Sequence, residues 1–233
     1  MGQHLKLMKE NFKFHKIKMT IEIFEKWINV LTKPKEVFAE EKAYASLGKA
    51  IKIIFVAGVI AGIFGIIANY ILLSLMGTLL SLPSSYTHSF PYGDFFGTPL
   101  SLPEYLALSF VAGVIYAPII FLIFSGINYL FAKLFKGEGN FTTQTYLIAL
   151  FYAPCIVITS ALGIIPFFGG LLALFVLIYE LYLLTLALKE THQYSTGKAI
   201  LTWLIPLIIL MVIMFVIAIM WFISMVPFMN PNI

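Results

Sequence analysis

Of 233 residues, 61% are apolar and 11% are charged, and the fifteen basic side chains are all lysine; an ordinary soluble domain runs at about 45–50% apolar and about 25% charged. That balance excludes a simple soluble globule, and the single Cys155 excludes an intramolecular disulfide or a multi-cysteine metal site. The net charge of +4 sits beside long apolar runs, so it reads as membrane topology and attraction to anionic lipid headgroups, with no nucleic-acid partner expected.

Eleven of the lysines fall within the first 52 residues. This gives a basic head over 1–50, expected on the cytoplasmic side, ahead of a transmembrane domain over 51–233. After Thr20, a candidate N-cap, Phe24, Trp27, Ile28 and Leu31 recur at i, i+3, i+4 and i+7, the spacing of one apolar helix face. Lys33-Pro34 breaks that helix, and Val37, Phe38, Tyr44 and Leu47 mark a second helical segment. With Lys26 and Lys33 beside Phe24 and Trp27, this amphipathic head fits an interfacial helix on the inner leaflet; the same face fits equally well against the protein's own spans.

The body contains uncharged stretches over 53–93, 105–132, 139–179 and 199–233, each well beyond the roughly 18 apolar residues that suggest a membrane-spanning helix. The third is too long for one crossing, and Pro166 with Gly169-Gly170 divides it. Five transmembrane helices follow, at about 53–75, 105–132, 141–163, 171–188 and 199–226. The stretch from Pro83 to Glu104, with four prolines and Asp94, reads as a loop. Five crossings place the lysines before span one, between spans two and three (Lys133, Lys136) and between spans four and five (Lys189, Lys198) on one side, and no lysine on the other. By the positive-inside rule the expectation is a multi-pass cell-membrane protein with a cytoplasmic N-terminus and an outside C-terminus.

Within the spans, Glu180 is the one acid near mid-depth, and a charged carboxylate there costs at least about 2.5 kcal/mol. It is either a proton- or cation-handling group in a transporter, channel or lipid-handling pathway, or a protonated group hydrogen-bonded to tyrosines such as Tyr152 or Tyr116. The structural role is the one expected. Asn69 and Asn128 are candidate interhelical hydrogen-bonding partners. Gly58 and Gly62 form a GxxxG in span one, and Ser109, Gly113 and Ala117 repeat every fourth residue in span two, which predicts close packing of these two helices. Phe-Val-Ala-Gly-Val-Ile occurs at 55–60 and again at 110–115, and Pro118, Pro154 and Pro206 are expected to kink their spans.

Enzyme signatures fail. Ser195-Thr196-Gly197-Lys198 matches a bare SxxK without its companions, and His4, His15, His88 and His192 are scattered over different segments. A non-enzymatic protein without cofactor or metal is therefore expected, with membrane lipids and a protein partner at the head as candidate contacts, and with oligomerisation open.

Taken in order, Trp27 with Val30 to Phe38, then Gly137-Glu138-Gly139-Asn140-Phe141, Tyr152-Ala153-Pro154, and Tyr179 through Ala187 to His192 and Ser195 resemble the prokaryotic branch of the Yip domain family of Ypt-interacting proteins, over about Trp27 to Pro206. The resemblance implies a Yip-type helical membrane domain, and the lysine distribution with the missing catalytic set points to a non-enzymatic adaptor or membrane-organising module whose head engages the inner leaflet or a partner. Eukaryotic members are associated with Rab-type GTPases and vesicle traffic; the eukaryotic Asp-Leu-x-Gly-Pro pattern is missing here, since the sole aspartate is Asp94.

Overall fold

The computed structural model describes residues 23–79 and 101–229, and every regular element among them is helical. Helix α1 covers 23–32 and α2 covers Pro34–Glu41; a 3₁₀ turn, Lys42–Tyr44, leads into α3, Leu47–Leu79. Then come α4 (Leu102–Leu134), α5 (Phe141–Leu162), α6 (Phe168–His192) and α7 (Thr196–Met229). Thr20 and the loop residues 83–100 lie outside the described residues.

Five helices are long and apolar enough to cross a bilayer, at Leu47–Leu72, Pro103–Leu134, Phe141–Leu162, Phe168–His192 and Thr196–Ile223. An all-α multi-pass membrane protein is what such a chain builds, because in hydrocarbon a helix satisfies its own backbone. The helices run past the apolar stretches at several ends. Helix α4 takes in Pro103 and Glu104, expected as loop, because both suit a first turn: Pro gives up no needed N–H there, and Glu104 accepts hydrogen bonds from the N–H (2.8 Å) and hydroxyl (2.7 Å) of the N-cap Ser101. The SxxK at Ser195 has a similar explanation, since Ser195 precedes α7 and its hydroxyl accepts from the Lys198 N–H at 3.5 Å.

Between α5 and α6 the chain reverses over 163–167, as Pro166 and the glycine pair predict. Phe167 takes φ 64°, and Gly169 approaches so closely that a Cβ there would collide with the Leu162 carbonyl oxygen. Asn140 caps α5 by accepting the Thr143 N–H at 2.8 Å.

Consecutive spans alternate in direction, so the start of α3, the end of α4, the start of α5, the end of α6 and the start of α7 share one end of the bundle. The buried core lies at that end. It contains Ala50, Ile54 and Ala57 of α3, Phe121 and Ala132 of α4, Tyr146 to Phe151 of α5, Leu183, Leu184, Ala187 and Leu188 of α6, and Ala199 of α7. Trp27, Val30, Val37 and Phe38 belong to the same core, so α1 and α2 are packed as part of the bundle and not as a separate head.

The face of α1 that packs differs from the one the spacing suggests. Trp27 and Val30 are buried, whereas Phe24 and Ile28 are 49% and 60% exposed. The turn at Lys33-Pro34 sets this rotation: Pro34, Val37 and Phe38 are buried in α2, and α1 must face them across a one-residue break.

Candidate functional site at the lysine-bearing end

One ion pair closes the head on itself, and three contacts hold it on this end. Lys26 and Glu41 form an ion pair at 2.7 Å, closing α1 against α2. Glu41 also accepts a hydrogen bond from the Tyr146 hydroxyl of α5 at 2.5 Å. Burial opposes the charged form of Glu41, but its hydrogen bonds to Lys26 and Tyr146 and the charges of Lys26 and Lys49 outweigh it and hold the carboxyl below the usual glutamate range. Lys42 reaches α6, donating to the Glu190 carbonyl at 2.7 Å and pairing with its carboxylate at 3.3 Å.

A third contact lies farther along α6. The Tyr179 hydroxyl donates to the Leu31 carbonyl, one of the last carbonyls of α1, which has no partner within its own helix. Tyr179 stands ten residues before Lys189, about 15 Å along the axis at 1.5 Å per residue. The α1–α2 turn is thereby held against the flank of the span and not at its tip. Phe38 completes the contact edge-to-face on Phe151, at 6.1 Å between ring centres.

Beneath the head a chain of buried polar groups crosses four helices. The His192 Nε2–H donates to Gln144 Oε1 at 2.8 Å, and the Gln144 amide donates to the Ser125 carbonyl at 2.8 Å; this fixes the His192 tautomer by its partner. The Ser125 and Thr145 hydroxyls are 2.7 Å apart. The His192 ring stacks on Tyr194 at 5.4 Å, and the Tyr194 hydroxyl pairs with Thr202 at 2.9 Å; burial pushes that hydroxyl up while Thr202 partly offsets it. The short loop after α4 closes over this chain. A Cβ on Gly137 would stand 2.5 Å from His192 Nδ1, and one on Gly139 would collide with the Thr191 carbonyl.

The other expected residues distribute as follows. Gly58 and Gly62 do face α4: a Cβ on Gly58 would meet Ala117 at 3.3 Å, and one on Gly62 the Phe110 ring at 2.8 Å. Gly113 faces open space, with nothing within 4 Å. Asn69 and Asn128, expected between helices, instead donate to carbonyls one turn back in their own helices, Gly65 and Phe124, at 2.9 Å each. An amide can always find an i−4 carbonyl without a second helix, whereas an interhelical bond needs a matched neighbour. Trp27, expected at the membrane surface, is 5% exposed. Lys33 and Phe24 are exposed, and Lys26 is engaged with Glu41.

Glu180 forms no hydrogen bond or ion pair among the described residues. Tyr152 spends its ring on Phe121 and Phe124 of α4, at 5.7 and 6.5 Å between centres. Tyr116 is 61% exposed. The expected tyrosine partnership of Glu180 is therefore not formed. No group of three His, Cys, Asp or Glu side chains among the described residues is placed to hold a metal.

Sequence reasoning passed over Gln144, Ser125 and Thr145, and met His192 only as a scattered histidine and as part of the family resemblance. Each is polar, lies at or near the lysine-bearing end of a span, and costs several kcal/mol if left unbonded in hydrocarbon, which was the signal available. A family model described as Yip1 domain matches residues 28–220. No curated protein and no solved structure matches the chain.

Proposed function

The chain belongs to the Yip1 domain family, and from that premise we propose that it is a non-enzymatic adaptor or membrane-organising module of the cell membrane, with its basic head at the inner leaflet, its N-terminus in the cytoplasm and its C-terminus outside. The observation that carries this reading is the attachment of the head. Lys26, Glu41, Tyr146, Lys42 and Glu190 tie α1 and α2 to the same end of the bundle that bears Lys133, Lys136, Lys189 and Lys198. A basic face with exposed Phe24, Ile28 and Tyr44 beside it presents one leaflet, or a partner at that leaflet, with apolar anchors among cations. Reporters fused near Phe90 and Lys136 test the placement. The expected result is Phe90 outside and Lys136 inside; an outward Lys136 overturns both the topology and the position of the head.

A second reading has one observation in its favour, the unpartnered Glu180 within α6: a transporter, channel or lipid-handling protein whose pathway passes this carboxyl. Ion flux and lipid translocation in liposomes, compared between the native chain and Glu180→Gln, discriminate. Flux that falls in the variant supports the pathway, and equal background flux in both removes it.

A further inference from the structure

Between α2 and the last turn of α6 lies a cavity of about 260 Å³ lined by Lys35, Phe38, Leu186, Lys189 and Glu190. We infer that this cavity is a binding site for the phosphate headgroup of an anionic phospholipid, with Lys35 and Lys189 as its cations. The inference rests on the reading that this end of the bundle lies at headgroup level.

Charge favours an anion. Glu190, the one acid in the wall, is already neutralised by Lys42, which binds both its carboxylate and its carbonyl. Lys35 and Lys189 are exposed and have no ion-pair or hydrogen-bond partner among the described residues. Two uncompensated ammonium groups thus border one cavity. Position favours a lipid over a free phosphate. Lys189 closes an apolar span that ends at His192, so the cavity opens where hydrocarbon gives way to water. Its floor is apolar, made by Phe38, 1% exposed, and by the partly buried Leu186, a surface that suits the glycerol backbone and the start of an acyl chain. The volume falls just below the range of about 300–1,000 Å³ of sites for drug-sized ligands, which suits a headgroup.

The occupant would also account for the shape of the site. Helix α2 is fixed to α5 and α6 at its far end through Glu41 and Lys42 and at its near end through the Tyr179–Leu31 contact, and Lys35 and Lys189 border the cavity left along it. An anion between the two lysines joins the head to the span by a third electrostatic tie.

Native mass spectrometry of the full chain in detergent, titrated with phosphatidylglycerol, phosphatidylcholine and glycerol 3-phosphate, tests the site. Phosphatidylglycerol is expected to bind most tightly, weakening about fivefold in Lys35→Gln, about fivefold in Lys189→Gln and about 25-fold in the double variant. The exposed lysines Lys136 and Lys198 supply charge-matched controls, and Lys136→Gln and Lys198→Gln are expected to leave binding unchanged. Unchanged affinity in the double variant overturns the proposal, as does an equal loss in the controls, which would mark a diffuse basic face. Glycerol 3-phosphate binding as tightly as the lipid overturns the choice of a lipid. Detergent exposes both ends of the bundle, so this result is independent of the reporter experiment that fixes which end is inside.

Discussion

The two halves of this membrane domain are built on different principles. At the lysine-bearing end α1, α2 and five span ends converge on one core, with Phe38, Phe121, Tyr146, Phe151 and His192 all 2% exposed or less. Toward the other end Ile178, Phe175, Leu171, Phe215 and Trp221 are each more than half exposed. Helix α5 carries the contrast, since 56% of its apolar window is buried while none of that of α7 is. Lipid tails are as apolar as leucine, so a membrane helix gains little by hiding apolar surface from them. Close packing then arises where something besides apolarity pulls helices together. Here that is the polar chain from His192 to Ser125, the ion pairs of the head, and the small-residue contact of Gly58 and Gly62 on α4.

Truncating large side chains gives the sharpest test of that contrast. Phe38→Ala empties a buried ring site against Phe151 and is expected to cost about 3–5 kcal/mol, while Phe215→Ala, on a side chain 67% exposed, is expected to change stability by less than about 0.5 kcal/mol. Thermal unfolding of both variants in detergent measures the difference. Equal losses would mean that the far end is packed as tightly as the near one.

Glycine substitutions divide the halves in the same way with a smaller effect. Gly137→Ala drives a methyl group against the His192 ring, and Gly139→Ala one against the Thr191 backbone; overpacking of this kind is expected to cost about 1–3 kcal/mol each. Gly170→Ala, with nothing within 4 Å, is expected to be neutral or better. Midpoints of melting curves settle this, and a Gly137→Ala protein as stable as the parent would dissolve the close fit of the loop on His192.

How much of this was legible before the structure follows from the same physics. The five spans, the break at Lys33-Pro34, the reversal at Pro166 and the facing of Gly58 and Gly62 toward α4 are written in runs and breakers, which act locally. Helix rotation is another matter. In spans where nearly every position is apolar, composition cannot choose which face packs, so Asn69, Asn128 and Gly113 could be named but not aimed. For α1 the alternation was readable, yet Phe24 and Ile28 turn outward because α2 fixes the angle across Pro34. His192, Gln144 and Ser125 lie far apart in sequence, and only the antiparallel arrangement brings them to one level.

The electrostatic tie of the head offers a comparison by pH. Since hydrogen bonding and the charges of Lys26 and Lys49 hold Glu41 below its ordinary range in the folded chain, its contribution is fully present above the unfolded glutamate value of about 4.3 and is lost as pH falls through the lower folded value. Glu41→Gln is expected to lower stability at neutral pH by about 1–2 kcal/mol, through loss of charge-assisted hydrogen bonds. It is also expected to flatten the acid limb of a plot of melting temperature against pH. An acid limb identical in parent and variant would show that other carboxyls control it.

The smallest effect is expected at an open position of α4. Gly113 has no neighbour within 4 Å of the place a Cβ would take, and it lies in the interior of a 33-residue helix. An alanine there restricts the unfolded backbone and removes nothing, so Gly113→Ala is expected to raise stability by about 0.5–1 kcal/mol. Gly62→Ala, one helix away, would press on the Phe110 ring at 2.8 Å and is expected to lower it. The ring is a movable group and the collision is partly relieved by rotation, so the loss stays below that of Gly139→Ala, whose obstacle is backbone. Opposite signs at two glycines on facing spans, read from melting midpoints in the same detergent, would show that the contact of α3 with Phe110 and Ala117 leaves Gly113 free; a loss at both would extend the close contact of α3 and α4 to Gly113.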